Sequence, residues 1–227
     1  MDFKFKVNKA VKISDNIFYY LLDLISPTGI EFRAGQFINI LVEPNFYRPY
    51  SIFSPPSEKE QIELFVDISP GGKGSKYFEK LKEGELVYGT GPYGNFIVGK
   101  KAEENIFIAT GSGIAPIRCM ILDLLQKKDG RKMSLYFGVR YGIDIYLFKE
   151  FEKEANENNN FKFYGTVSRP DSQWNGLTGR VTEHLGKLGD FQNKDFYLCG
   201  APKTIDALKI YLTTCGVKEE KIHYEQY

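Results

Sequence analysis

The chain has 227 residues, 42% of them hydrophobic and 26% charged, the balance of a globular protein long enough for one large domain or two of ordinary size. Thirty basic side chains against twenty-nine acidic ones leave a net charge of +1, and a division at residue 100 gives twelve of each sign before it and eighteen against seventeen after it. Neither part has the basic surplus that nucleic-acid binding needs, and no apolar run approaches the length of a membrane span.

Three scattered cysteines (Cys119, Cys199, Cys215) and two distant histidines (His184, His223) offer no ligand set for a metal or a four-cysteine iron–sulfur cluster. The charged and aromatic residues of Met1–Lys6 are not those of a secretory signal, so a cytoplasmic location is expected.

The first hundred residues read as strands and turns. Alternation is clear in Phe3–Val7 and in Ile62–Ile68, with further strands over Ile17–Leu24, Phe37–Val42 and Glu85–Tyr88. Ser26-Pro27-Thr28-Gly29, Ala34-Gly35 and Gly89–Asn95 read as turns. Short alternating strands at this spacing predict a closed antiparallel barrel. One helix is expected to start at Ser75, capped by its hydroxyl, and to run through Leu81.

From about residue 103 the rhythm changes. Strands are expected over Asn105–Thr110, Ser134–Val139, Phe161–Val167, Asp195–Cys199 and Ile222–Glu225. Helices are expected over Pro116–Lys127, Asp144–Asn156, Arg180–Leu188 and Pro202–Cys215. Five strands with helices between them predict a parallel α/β sheet covered on both faces. The boundary falls near Gly99–Glu104, giving domains over 1–100 and 103–227.

In the first domain, Arg48-Pro49-Tyr50-Ser51 sets a forked phosphate donor two residues from an aromatic ring, so both point to one side of an extended strand. Pro49 places that strand at a sheet edge or a kink. Gly72-Lys73-Gly74-Ser75 at a helix start is an anion nest. Lys73, Lys76, Lys80 and Lys82 could dock an acidic carrier, although Glu79 and Glu83 interleave them as on an ordinary solvated face.

In the second domain, the strand ending at Ala109 runs into Thr110-Gly111-Ser112-Gly113-Ile114-Ala115-Pro116 and then a helix. The glycines allow close backbone approach, the helix start presents free N–H groups to a pyrophosphate, and Pro116 suits a first helical turn. Arg140, Ser168 and Arg169 close the next two strands, where ligands of open α/β sheets sit, and suit the 2′-phosphate of NADP; an arginine there can equally stack on adenine. Cys199-Gly200 ends the fourth strand, and Glu225-Gln226-Tyr227 ends the fifth, leaving a terminal ring free to cover another ring.

Taken together these motifs resemble the ferredoxin–NADP reductase superfamily over essentially the whole chain. Phe32–Phe37 is similar to the family's strand entry, Arg48–Ser51 to its flavin motif and Gly72–Ser75 to its pyrophosphate turn. Gly91–Phe96 is similar to its barrel exit, and Gly111–Pro116, Cys199-Gly200-Ala201-Pro202 and Glu225 with Tyr227 to its nicotinamide-side motifs. Lys203-Thr204 departs from the methionine many relatives carry after Cys-Gly-x-Pro.

The resemblance implies a six-stranded flavin barrel followed by a nicotinamide-nucleotide domain, without a fused [2Fe–2S] domain. It implies that Arg48, with Pro49 and the Gly72, Lys73, Gly74 and Ser75 segment, holds the FAD pyrophosphate. Tyr50 would stack on the flavin and Ser51 would hydrogen-bond its N5. Thr110, Gly111, Gly113 and Pro116 would take the dinucleotide. Cys199, Gly200 and Glu225 would flank the nicotinamide, and Tyr227 would cover the flavin until nicotinamide displaces it; Ser51, Cys199, Glu225 and Tyr227 are thus the candidate catalytic residues.

The implied activity is hydride exchange between NADP(H) and FAD, with single electrons exchanged with ferredoxin, flavodoxin or another carrier. The alternatives are an NADH-dependent flavin or cytochrome reductase, a reductase component of a larger complex, and a non-catalytic dinucleotide-binding module. NAD in place of NADP and FMN in place of FAD stay open.

Overall fold

The computed structural model describes residues 1–141, 147–172 and 174–227. They divide into two compact units, Met1–Ile97 with Arg118–Leu124, and Val98–Ile117 with Leu125–Tyr227.

The first unit is built on β1 (Asp2–Lys12), β2 (Ile17–Ser26), β3 (Phe37–Glu43), β4 (Phe46–Ser51), β5 (Gln61–Asp67) and β6 (Leu86–Tyr93). They form one six-stranded sheet in the order β4-β3-β6-β1-β2-β5, with antiparallel neighbours throughout. The sheet curls, and an Ile52–Leu64 bridge just past β4 reaches β5 at the opposite edge. Period-2 alternation turns Phe3, Phe5, Tyr20, Leu22, Ile38, Ile40, Ile62 and Leu64 inward, where all are buried. Helix α1 (Lys73–Lys80) lays fully buried Phe78 against this core, and the Tyr20 hydroxyl donates to the Phe78 carbonyl. Pro49 lies on edge strand β4, as its missing donor requires.

Two local expectations change. Helix α1 starts at Lys73 behind Gly72 with no side-chain cap, and Ser75 lies buried inside its first turn. Ser75 cannot cap because it is already the third helical residue, and its side chain is buried. The glycines at 89 and 91 are strand residues of β6, not a turn. A Cβ on Gly89 would lie 2.8 Å from the Asn39 carbonyl oxygen, so this glycine marks a close approach of β6 to β3.

The second unit is built on β7 (Glu104–Thr110), β8 (Lys132–Val139), β9 (Phe161–Val167), β10 (Leu177–Thr178), β11 (Lys194–Gly200) and β12 (Ile222–Gln226). They lie parallel in the order β10-β9-β8-β7-β11-β12. The five expected strands are present, and β10 adds two residues, too few to leave a periodic signal.

Helices α2 (Ile114–Gln126), α3 (Phe148–Glu157) and α4 (Pro202–Thr214) connect the strands, and Val181–Leu188 is 3-10 rather than α-helical. Residues 144–146 of the expected second helix of this domain lie outside the described residues. Leu208 and Leu212 of α4, with Val181 and Leu185, cover Ile106, Ile108, Phe196 and Leu198 on one face of the sheet. On the other face Phe148 of α3 sits 5.6 Å from Phe137 and 5.1 Å from Phe163, ring centre to ring centre. The strand order reverses between β7 and β11, so the ligand crevice of such a sheet lies beyond Thr110 and Gly200.

Candidate functional site

Each unit carries its own cluster of the expected residues. In the first unit they gather where edge strand β4 passes the start of α1. Arg48 and Tyr50, two residues apart, both reach over Gly74: its missing Cβ would meet the Tyr50 hydroxyl and would lie 3.5 Å from Arg48 Cγ. A side chain at position 74 would force Tyr50 to move. The Tyr50 ring packs edge-on against Phe78, with centroids 4.5 Å apart, and burial pushes its hydroxyl up to about 12. Tyr50 is therefore neutral, as a ring offered for stacking should be.

Ser51 and Ser75 are buried beside them, while Gly72, Lys73 and Pro49 are exposed. The Arg48 guanidinium lies over Phe46, 3.8 Å from Cζ to the ring centre, and Nη1 donates to the Tyr47 carbonyl at 3.0 Å. Lys73 Nζ stands 4.5 Å from the centre of the same ring and 2.7 Å from Glu43. These donors and the helix start suit a pyrophosphate, and the Tyr50 face suits a planar ring, so the residues fit a flavin nucleotide.

In the second unit the cluster sits at the carboxyl ends of β7, β11 and β12. The Gly111–Gly113 turn is 3-10 and leads straight into α2, with Pro116 buried in its first turn. The two glycines are needed for different reasons. Gly111 has φ of 55° and open space where its Cβ would be. Gly113 is jammed against β11: a Cβ there would collide with the Cys199 carbonyl oxygen and lie 2.6 Å from the Gly200 nitrogen. Gly200, at φ of 155°, has no room for a Cβ because the Thr110 hydroxyl occupies it. The glycine turn and Cys199-Gly200 thus interlock through backbone contact.

Cys199 on β11 is in register with Glu225 on β12. The Cys199 thiol, buried and pushed up to about 12 mainly by that burial, donates to the Tyr227 hydroxyl at 3.4 Å. Burial raises the Glu225 carboxyl to about 7. A neutral thiol and a carboxyl poised near neutrality flank one spot, beside the exposed ring of Tyr227.

Arg140, Ser168 and Arg169 meet at the ends of β8 and β9. The Arg169 amide donates to the Arg140 carbonyl at 2.8 Å, and the Ser168 amide to the Val139 carbonyl at 3.0 Å. All three side chains are exposed. Two residues missed in the sequence join these clusters. Tyr141 accepts a 3.2 Å hydrogen bond from Arg169 Nη1, and only its place next to Arg140 could have suggested it. Phe46 lies under Arg48; the alternation Phe46, Arg48, Tyr50 was the available signal.

The oxidoreductase FAD-binding domain family matches residues 4–97, and the oxidoreductase NAD-binding domain family matches residues 107–209. The chain is 36% identical, over its whole length, to the phenol hydroxylase P5 protein of Acinetobacter pittii, of which it spans 65%. It is 33% identical over 86% of its length to a subunit of the Na(+)-translocating NADH-quinone reductase of Pseudoalteromonas atlantica, and spans 52% of that protein. The chain thus spans between about half and two-thirds of the length of these relatives. All of it superposes on 69% of the Amycolatopsis cytochrome P450 reductase GcoB, with a TM-score of 0.90 and 26% identity. With both halves matched and the two residue clusters in place, the chain belongs to the ferredoxin reductase-like family of flavin oxidoreductases that bind FAD and a nicotinamide nucleotide.

Proposed function

We propose that the protein takes hydride from NADPH onto FAD and passes electrons singly to a protein acceptor such as ferredoxin or flavodoxin. In this reading residues 1–100 serve FAD and residues 103–227 serve the nicotinamide nucleotide. Bound FAD would supply the conversion between a two-electron hydride and single electrons; the chain's part is to bind, orient and tune.

The observation that carries the reading is the in-register pair Cys199 and Glu225 beside the interlocked glycine turn. The Gly111 turn and the start of α2 would receive the dinucleotide phosphates. The neutral thiol of Cys199 and the carboxyl of Glu225 would border the nicotinamide ring, Glu225 holding or releasing a proton near neutral pH. In the other unit, Arg48, Lys73 and the Gly74 and Ser75 amides would hold the FAD pyrophosphate, Tyr50 would stack on its ring system, and Ser51 would hydrogen-bond it. Exposed Arg140, Ser168 and Arg169 favour a 2′-phosphate, hence NADPH.

A second reading takes NADH as donor and makes the chain the reductase component of a larger enzyme. Its support is the pair of relatives, one a phenol hydroxylase protein and the other part of an NADH-quinone reductase.

Anaerobic titration of the flavin-loaded protein with each nucleotide, followed by flavin absorbance, separates the readings. Fast bleaching by NADPH and slow bleaching by NADH is the result the first reading expects. The opposite order rules out NADPH as the preferred donor and leaves the second reading. A loaded protein bleached by neither would refute both.

A further inference from the structure

We propose that Phe46 is a positioning residue for FAD: its ring holds the Arg48 guanidinium, and with it Lys73, in the pose that receives the pyrophosphate. The proposal rests on the assignment of Arg48 to that pyrophosphate.

It begins with the hairpin between β3 and β4. Pro44 and Asn45 form its two-residue turn, and Asn45 takes the left-handed conformation, with φ of 60°. The turn sets Glu43 directly across from Phe46. Along β4, Phe46, Arg48 and Tyr50 then project to one side, toward the start of α1. Each member of this comb has a partner there. Tyr50 ends over Gly74, the Arg48 stem passes 3.5 Å from the Cβ position of Gly74, and the Phe46 ring carries the Arg48 head at 3.8 Å and Lys73 Nζ at 4.5 Å.

The geometry suits phosphate capture. A guanidinium held over an aromatic ring is attracted by the ring without needing a hydrogen-bond acceptor there, so its N–H groups stay available to other acceptors. One of those groups is spent on the Tyr47 carbonyl at 3.0 Å, which fixes the rotation of the head. Arg48 is otherwise an exposed side chain on an edge strand, with many rotamers to lose on binding. The ring removes that cost before the ligand arrives. The same ring also lets two cations share one small region, one of them balanced by Glu43 at 2.7 Å, so a doubly charged pyrophosphate meets both.

Phe46 is half-buried and packs against the barrel core, so its structural and positioning roles must be separated. Leucine retains an apolar side chain there and lacks the ring face; tryptophan and tyrosine keep the face. The test is the FAD dissociation constant of the flavin-stripped protein, measured by quenching of FAD fluorescence, with the melting temperature recorded alongside. Phe46→Leu should weaken FAD binding about 10-fold, Phe46→Trp or Phe46→Tyr should bind within about 3-fold of wild type, and Phe46→Leu should have no further effect in an Arg48→Ala background.

Should Phe46→Leu fail to fold, Phe46→Met, with an unbranched apolar side chain, carries the same comparison. Wild-type affinity in the Leu or Met variant overturns the proposal, as does an equal loss in the Arg48→Ala background or in the Trp and Tyr variants. Wild-type affinity in Arg48→Ala alone also overturns it, and with it the assignment of Arg48. The donor readings are judged separately, by the bleaching of loaded wild-type protein.

Discussion

Cys199 and Glu225 stand in register on neighbouring parallel strands, β11 and β12, at the carboxyl end of the second unit's sheet. Tyr227, two residues past Glu225 and so on the same side of the strand direction, accepts the Cys199 thiol hydrogen at 3.4 Å. This bond holds Tyr227 at the place that the proposed function assigns to the nicotinamide ring, and under that proposal Tyr227 would compete for it. Tyr227→Ser should tighten binding of the preferred nicotinamide nucleotide by about 10-fold or more, close to 1.4 kcal/mol. Equilibrium titration of the oxidised, flavin-loaded protein measures it; an unchanged affinity for both nucleotides removes Tyr227 from this role.

Glu225 gives the stability a pH dependence of known sign. Burial raises its carboxyl from 4.5 to about 7, so between those values the folded chain keeps a proton that the unfolded chain has released. The folded state is then favoured at the acid end of this window and loses that advantage as pH rises through it. Glu225→Gln has no such titration. Its melting temperature relative to wild type should therefore climb from pH 5 to pH 8, as thermal denaturation at each pH would reveal. A constant difference across that range would show that Glu225 is not held back from ionising.

The two glycines of the turn after β7 should fail differently when replaced. Alanine at Gly113 drives a methyl group into the Cys199 and Gly200 backbone, an overpacking that costs about 1–3 kcal/mol or more and lowers the melting temperature by several degrees. Alanine at Gly111 meets no atom and must only adopt φ of 55°, a cost of roughly 1–2 kcal/mol. Gly111→Ala should instead lose nucleotide affinity out of proportion to its stability. Melting temperatures and nucleotide titrations of the pair decide the matter; a Gly111→Ala variant that keeps wild-type nucleotide affinity would contradict it.

Thiol reactivity should follow burial. Cys119 and Cys199 are buried and pushed up to about 12, whereas Cys215 is exposed at the end of α4. Native protein treated with iodoacetamide at pH 8 should carry the label on Cys215 and stay unlabelled at the other two, because the thiolate is the reacting form. Peptide mass spectrometry reads the sites. Rapid labelling of Cys199 would mean that its thiol is not protected in the way the strand pairing implies.

Local pattern was enough for the larger plan: period-2 alternation before residue 100 and strand–helix alternation after 103 follow from which side chains must face a core. It also placed Arg48 and Tyr50 on one side of a strand, since the spacing of side chains along β4 is fixed by the backbone alone. Packing, by contrast, explains why particular residues are small or polar. Gly89 reads locally as a turn but is required by the neighbouring Asn39 carbonyl; Gly113 reads as a phosphate glycine but is packed under Cys199. Ser75 reads as a cap but is buried inside the first turn of α1, next to the Gly74 that lies beneath Tyr50. The neighbour responsible is remote in the chain in each case, and no local pattern carries information about it. The pairing of Cys199 with Glu225 belongs to the same class, because register between strands is set by the packing of the whole sheet.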